Sequence, residues 1–369
     1  MEIKMKHISI LGASLLGLLL LTTSCNDEWE DEQYAHYVAF SAPLDNDGVR
    51  VVNVPYTRCL YDNDGNVTGN KFPDEADGGY GISEYDLPVV IAGSTTNPKD
   101  VTVHFAADPD TLGIMNYARF QNRTDLYYQD MSQYATYASE MTIPAGTDVD
   151  LLNIKFDFRG IDMSKKWVLP IQILDDPSYG YESHPRQYYA KALLRIYPFN
   201  DWSGLYSGTS QQISIAGDTE ASVVENVRLY VVDENAVFVY AGLIDEDRQD
   251  RANYKIKLEF VPNENDHTRG TVKFTCDNPL MKFSVNKVTD ADGNPTNEDE
   301  VTRYTVIEEM DATQNYLLHR YVIINNVNYT FTDYGLVPGY EMSYTVKGSL
   351  TGERKINTQI KDRQYAIEW

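Results

Sequence analysis

The residue types that most often carry chemistry are present but not assembled into a known motif. Five histidines lie beyond the first 24 residues, His36, His104, His184, His267 and His319, and none stands in a His-x-x-x-His or His-Glu-x-x-His spacing. No zinc-protease signature is therefore present. There is no Gly-x-Ser-x-Gly turn to expose a serine nucleophile, and no glycine-rich phosphate loop. Cys59 and Cys276 are too few for a disulfide framework or a thiolate metal site, and two buried free thiols are the expected state. No metal and no cofactor is expected. Carboxylates are abundant, with 55 Asp and Glu against 31 Lys and Arg and a formal charge of −24. Two carboxylates at a defined gap suffice for glycoside hydrolysis, but an excess of this size reads first as a solvated acidic surface. The same excess excludes nucleic acid as a partner, because phosphate binding needs clustered Lys and Arg.

Three segments begin like calcium loops: Asp45-Asn46-Asp47-Gly48, Asp62-Asn63-Asp64-Gly65-Asn66 and Asp290-Ala291-Asp292-Gly293-Asn294. An EF-hand loop needs a bidentate Glu at its position 12. Tyr56, Pro73 and Val301 stand there instead. These segments are expected to be hairpin turns, because Asp-Gly and Asn-Gly supply the positive φ of tight turns.

Aromatic residues are the remaining candidates. The chain has 28 Tyr, 12 Phe and 4 Trp. Residues 117–137 lack a strand period and place Tyr127, Tyr128, Tyr134 and Tyr137 among Gln, Asn, Asp and Arg. Sugar rings offer patches of C–H to aromatic faces and hydroxyls to amides and carboxylates, so these four tyrosines are the expected ligand-binding residues, with Trp202 in reserve. The competing reading is that their rings are packed and only the hydroxyls are wet. Trp167, on the apolar face of its strand, is expected in the core.

The elements that would hold such a site are strands. Two-residue alternation recurs at 38–41, 49–56, 86–91, 101–106, 151–158, 167–174 and 187–197, separated by turn residues such as Asn63-Asp64-Gly65 and Pro144-Ala145-Gly146. Only the stretch after Asp108-Pro109 reads as a helix, with Asp108 as its cap. Residues 34–197 are expected to form an antiparallel, immunoglobulin-like β-sandwich. Pro198-Phe199-Asn200-Asp201 marks a boundary, and a second strand series begins at 202. Its strands are expected to meet in hairpins at Val232-Asp233-Glu234-Asn235-Ala236 and at Asn325-Asn326. Residues 198–369 are thus expected to form a lipocalin-like meander barrel or a strongly curved sandwich, so that the whole chain is all-β.

The N-terminus reads as an address. Lys4 and Lys6 precede an apolar run over 8–21 and then Thr22-Thr23-Ser24-Cys25. This run is shorter than the roughly 20 apolar residues of a membrane span and has the layout of a secretory signal over 1–24. The Ser24-Cys25 junction resembles a bacterial lipobox, which implies that Cys25 is acylated, for example with palmitate, and becomes the mature N-terminus. Residues 25–33 form an acidic tether of the kind that resembles the export signal of Bacteroidota surface lipoproteins.

Three further pieces fit one family in order and spacing: Asp100-Val101-Thr102-Val103, Met141-Thr142-Ile143-Pro144-Ala145-Gly146 and Trp167-Val168-Leu169-Pro170-Ile171. With them, the first domain resembles an N-terminal domain of unknown function carried by many Bacteroidota surface lipoproteins. The stretch Phe199-Asn200-Asp201-Trp202-Ser203-Gly204-Leu205-Tyr206-Ser207-Gly208 resembles the start of the C-terminal module that often follows it. The resemblance implies a lipid-anchored protein on the outer face of the outer membrane, accessory to a polysaccharide utilisation system with a SusC/SusD-like importer. Some relatives carry a family-18 glycosidase, but the Asp-x-x-Asp-x-Asp-x-Glu strand that such a domain needs is absent here. The expected function is non-catalytic binding of polysaccharide or oligosaccharide. The alternatives are a hydrolase with an unrecognised carboxylate pair and a structural subunit of the importer.

Overall fold

In strand Val101–Ala107, Val101, Val103 and Phe105 are buried and Thr102 is exposed, so the sequence alternation becomes one dry and one wet face. The same rule builds the first domain in this computed structural model, which describes residues 36–42, 48–93, 95–186, 188–216, 218, 220–286 and 301–369. The signal segment, Cys25, the acidic tether and the calcium-like segments at 45–47 and 290–294 lie outside the described residues. Among the described residues no helix is long and apolar enough to cross a membrane.

The first domain is a sandwich of a five-stranded and a six-stranded sheet. One sheet runs Tyr37–Phe40, Ile82–Ala92, Val149–Asp157 through its middle; the other runs Lys191–Phe199, Trp167–Ile173, Val101–Ala107. This is the split of strands between layers that immunoglobulin-like sandwiches use. Val38, Leu87, Ile154, Phe156, Leu169 and Ile171 fill the space between the layers.

Two features depart from simple alternating antiparallel strands. The pairing is not wholly antiparallel: Arg50–Pro55, at the edge of the second sheet, lies parallel to Lys191–Phe199. Strand Trp167–Ile173 is also buried on both faces. Its outer face is covered by helix Pro109–Phe120 and the following loop, where Leu112 and Tyr128 close over Val49, Val168 and Leu193. The helix starts where expected, with the Asp108 carboxylate accepting from the Thr111 amide at 3.1 Å.

In the second domain, strands Gly204–Ser207, Asn226–Asp233, Ala236–Tyr240, Lys255–Asn263, Asp266–Thr275, Arg303–Met310, Leu317–Val337 and Tyr340–Asn357 pair in succession, each antiparallel to the next. The last returns to the first through Tyr206 opposite Gly352, which closes the ring. Side chains fill its interior, among them Trp202, Tyr206, Tyr254, Phe260 and Phe331. The hairpin at Asp233–Ala236 forms as expected. The hairpin expected at Asn325-Asn326 does not. Leu317–Val337 is one strand of 21 residues, and the two asparagines form a bulge in it, with Asn326 at φ 57° and the register shifting between Ile324 and Val327. Asn tolerates positive φ in a bulge as readily as in a turn, so its presence alone does not choose between them.

The domains are packed together. Tyr230, Phe238 and Tyr240 of the barrel join the core of the sandwich. Around them Lys166 pairs with Asp247 at 2.7 Å, Arg195 with Glu246 at 3.1 Å, and the Arg251 guanidinium donates to the Ser164 carbonyl at 3.0 Å.

Candidate functional site

Asn200 sits at the domain joint, and its side chain sets the local geometry. Its Oδ1 accepts from the amides of Trp202 and Ser203 at 3.0 and 2.8 Å, while its Nδ2 donates to the Asp233 and Ala236 carbonyls at 2.7 and 3.2 Å. The joint is a fixed corner that ties the end of the sandwich to a barrel hairpin.

Beside this corner lies a cleft of about 570 Å³, within the size range of small-molecule sites, which favour domain interfaces. One wall is the sandwich hairpin Cys59–Tyr61 with Val67–Asn70. Its turn is pinned by the Asp62 carboxylate, which accepts from the Asp64 and Asn66 amides at 2.9 Å each, with Gly65 at φ 79°. Those bonds hold the Asp62 carboxyl below the ordinary carboxylate range. This calcium-like segment is thus a hairpin turn, and no group of three metal-ligating side chains occurs among the described residues.

The opposite wall comes from the barrel and from the segment that follows its last long strand. Gln364 accepts from the Cys59 amide at 3.0 Å and donates to the Thr57 carbonyl at 2.7 Å, and Asp362 pairs with Arg58. Tyr61, Tyr80, Asn66 and Asn70 line the same space as Asp201, Glu234, Glu308, Arg320, Arg354 and Arg363. Burial raises the Glu234 carboxyl above its ordinary range, against the Thr57 hydroxyl that donates to it at 2.6 Å. Rings, amides and charges on one concavity form a surface on which a sugar can stack and hydrogen-bond.

The expected tyrosines lie elsewhere. Tyr128 is 3% exposed, held between Phe120 and the Arg195 guanidinium, and presents no free face. Tyr134 stands edge-on to Trp167 at 5.1 Å, and Tyr137 packs against the sandwich core. Tyr127 is half-buried with its hydroxyl donating to the Gln121 carbonyl at 2.5 Å. Trp202 is 6% exposed and stacked on Phe260 at 4.3 Å. As a shared platform this set is therefore corrected: Tyr128 and Trp202 are core residues, and the other three rings are partly spent on packing. Trp167 is in the core, as its strand position implied. Cys59 and Cys276 are unpaired and half-buried.

Sequence reasoning missed the cleft residues. A signal for one of them was present. Val346, Leu350, Gly352 and Ile356 are buried along one strand, and Arg354 interrupts that inward series with a charge.

Comparison with known families matches residues 29–177 to a domain of unknown function, DUF4973, and residues 190–351 to a BT3507-like C-terminal domain. A solved auxiliary nutrient binding protein (BT3507) from Bacteroides thetaiotaomicron is 46% identical, with 91% of this chain and 100% of that chain covered and a TM-score of 0.76. A multidomain protein including DUF1735 from Bacteroides ovatus is 36% identical, covering 90% and 100%, at a TM-score of 0.71. A protein of unknown function from the same species is 32% identical, covering 92% and 97%, also at 0.71. No curated protein matches.

Proposed function

The chain belongs to the Bacteroides family of all-β, two-module proteins that join a DUF4973 domain to a BT3507-like C-terminal domain, and from this membership we propose that it binds a nutrient glycan at the cell surface without altering it covalently. The observation that carries the proposal is the cleft between the domains, where Tyr61 and Tyr80 stand beside amides, carboxylates and guanidinium groups. A relative described as an auxiliary nutrient binding protein supports the same role. Cys25 would anchor the chain by lipid in the outer membrane, facing the cell exterior, where it would hand polysaccharide or oligosaccharide to a SusC/SusD-like importer. Stacking and a few solvent-competed hydrogen bonds correspond to about 4–8 kcal/mol, a millimolar to micromolar affinity.

One observation favours a second reading. Glu234 lies in the cleft with its carboxyl raised by burial, the state a general acid requires. A hydrolase would pair it with another carboxylate across a bound glycosidic bond. Incubation with a panel of plant and host polysaccharides separates these readings. Retention on affinity gels without new reducing ends is the expected result; new reducing ends would establish the hydrolase, and neither signal would leave a structural subunit of the importer.

A further inference from the structure

Arg320 and Arg354 are direct cross-strand partners in the ladder between Leu317–Val337 and Tyr340–Asn357. Like charges directly opposite each other destabilise a sheet, so this pair has a cost that packing alone does not justify. The two guanidinium groups are not equivalent. Arg320 has carboxylates near it, Glu308 at 3.6 Å and Asp201 at 4.0 Å, and it donates to the Asp201 carbonyl at 3.0 Å.

Arg354 has none. Among the described residues no carboxylate lies within ion-pair distance of it. Its Nη2 donates to the carbonyls of Asn200 and Ser203, the latter at 2.7 Å, and the rings of Phe199 and Trp369 lie 5.4 and 5.7 Å from its guanidinium carbon. Burial lowers its pKa to about 10, so it stays charged at neutral pH, and among the described residues its Nε and Nη1 make no hydrogen bond. Arg354 is half-buried and none of its nitrogens is both buried and unbonded, so the free ones are open to the solvent of the cleft. Arg363, exposed on the same cleft, also forms no ion pair among the described residues. Two guanidinium groups without carboxylate partners thus line one cleft in a chain whose net charge is −24, where acidic partners are plentiful.

Building on the glycan-binding reading above, we propose that the cleft selects anionic glycans, with Arg354 and Arg363 receiving a carboxylate or sulfate carried by the sugar. The planar guanidinium fork matches both groups and can donate two parallel hydrogen bonds to either. The charge of the whole chain repels polyanions, so recognition must come from this local pair and not from a general basic surface.

The test is retention and affinity on polygalacturonan, hyaluronan, chondroitin sulfate and heparin, each beside its carboxyl-reduced or desulfated form, with arabinan, xyloglucan and dextran as neutral glycans. At least one acidic member should bind about tenfold or more tighter than its neutralised form, the value of one charge-assisted hydrogen bond. Loss of preference on carboxyl reduction identifies a carboxylate, and loss on desulfation a sulfate. The preference should collapse in Arg354→Gln and in Arg363→Gln; the second residue is exposed, so its variant stays folded even if the first does not. Equal binding of charged and neutralised forms, binding of neutral glycans only, or a preference that survives both substitutions overturns the proposal and leaves glycan binding standing. Retention of no glycan overturns both.

Discussion

Arg58 of the sandwich and Asp362 of the segment after the barrel form a two-point ion pair, with Nη2 on Oδ2 and Nη1 3.3 Å from Oδ1. Arg58 is 7% exposed, and its guanidinium also lies over the Tyr365 ring at 4.4 Å. The hairpin wall of the cleft is thereby fixed by residues some 300 positions away in sequence. Neither domain alone supplies this geometry.

Removing one partner of a buried pair typically costs about 3–5 kcal/mol. Arg58→Ala should lower unfolding stability by an amount near the lower end, because Asp362 is partly exposed, and should speed amide exchange over Cys59–Tyr61 and Val67–Asn70. Urea unfolding and hydrogen exchange measure both. Exchange unchanged at the hairpin would mean that the clamp does not hold it.

Tyr128 is a packing residue, so Tyr128→Ala should destabilise by about 3 kcal/mol or more, as for other large aromatic truncations. Tyr127→Ala, which loses a half-buried ring and one hydrogen bond, should cost about 1 kcal/mol. Neither change should alter retention of a glycan that wild type binds. Thermal melts and affinity gels report the two effects separately.

Asp333 is 3% exposed, and burial pushes its pKa up; Arg248, the Gly335 and Leu336 amides and the Tyr254 hydroxyl overcome this and bring it down to about 2 from 3.8. Its ionised form therefore stabilises the barrel by about 2 kcal/mol. That contribution is complete above about pH 4 and is lost as pH falls through about 2. Asp333→Asn should be less stable than wild type at pH 6, and the difference should shrink on acidification to pH 2. A constant difference across that range would contradict the assignment.

Lipidation is expected at Cys25 from the Ser24-Cys25 junction. The mass of membrane-extracted protein should exceed residues 25–369 by a diacylglycerol and an acyl chain, and Cys25→Ala should release the protein from the membrane. Equal retention of that variant would remove the anchor.

Much of the fold was legible because strand alternation reports which face is dry. It located Val101–Ala107, Trp167–Ile173 and the Asp233–Ala236 hairpin. It did not reveal that Val168 is covered from outside, since that depends on where the Leu112 helix lies. Asn325-Asn326 was ambiguous because positive φ serves turns and bulges alike. The tyrosines of 117–137 looked like a platform because composition cannot separate a polar loop from one folded down on the core. The cleft was illegible for a further reason. Tyr61, Glu234 and Arg354 lie far apart in sequence, and only the clamp and the Asn200 corner bring them to one space.

The most direct test is affinity electrophoresis in a polysaccharide that retards wild type, comparing Tyr61→Ala/Tyr80→Ala with Tyr127→Ala/Tyr137→Ala, both checked for folding by melting curves. Loss of retardation in the cleft variant with retention in the loop variant is the predicted result. Loss in the loop variant with an unaffected cleft variant would contradict the assignment of the site.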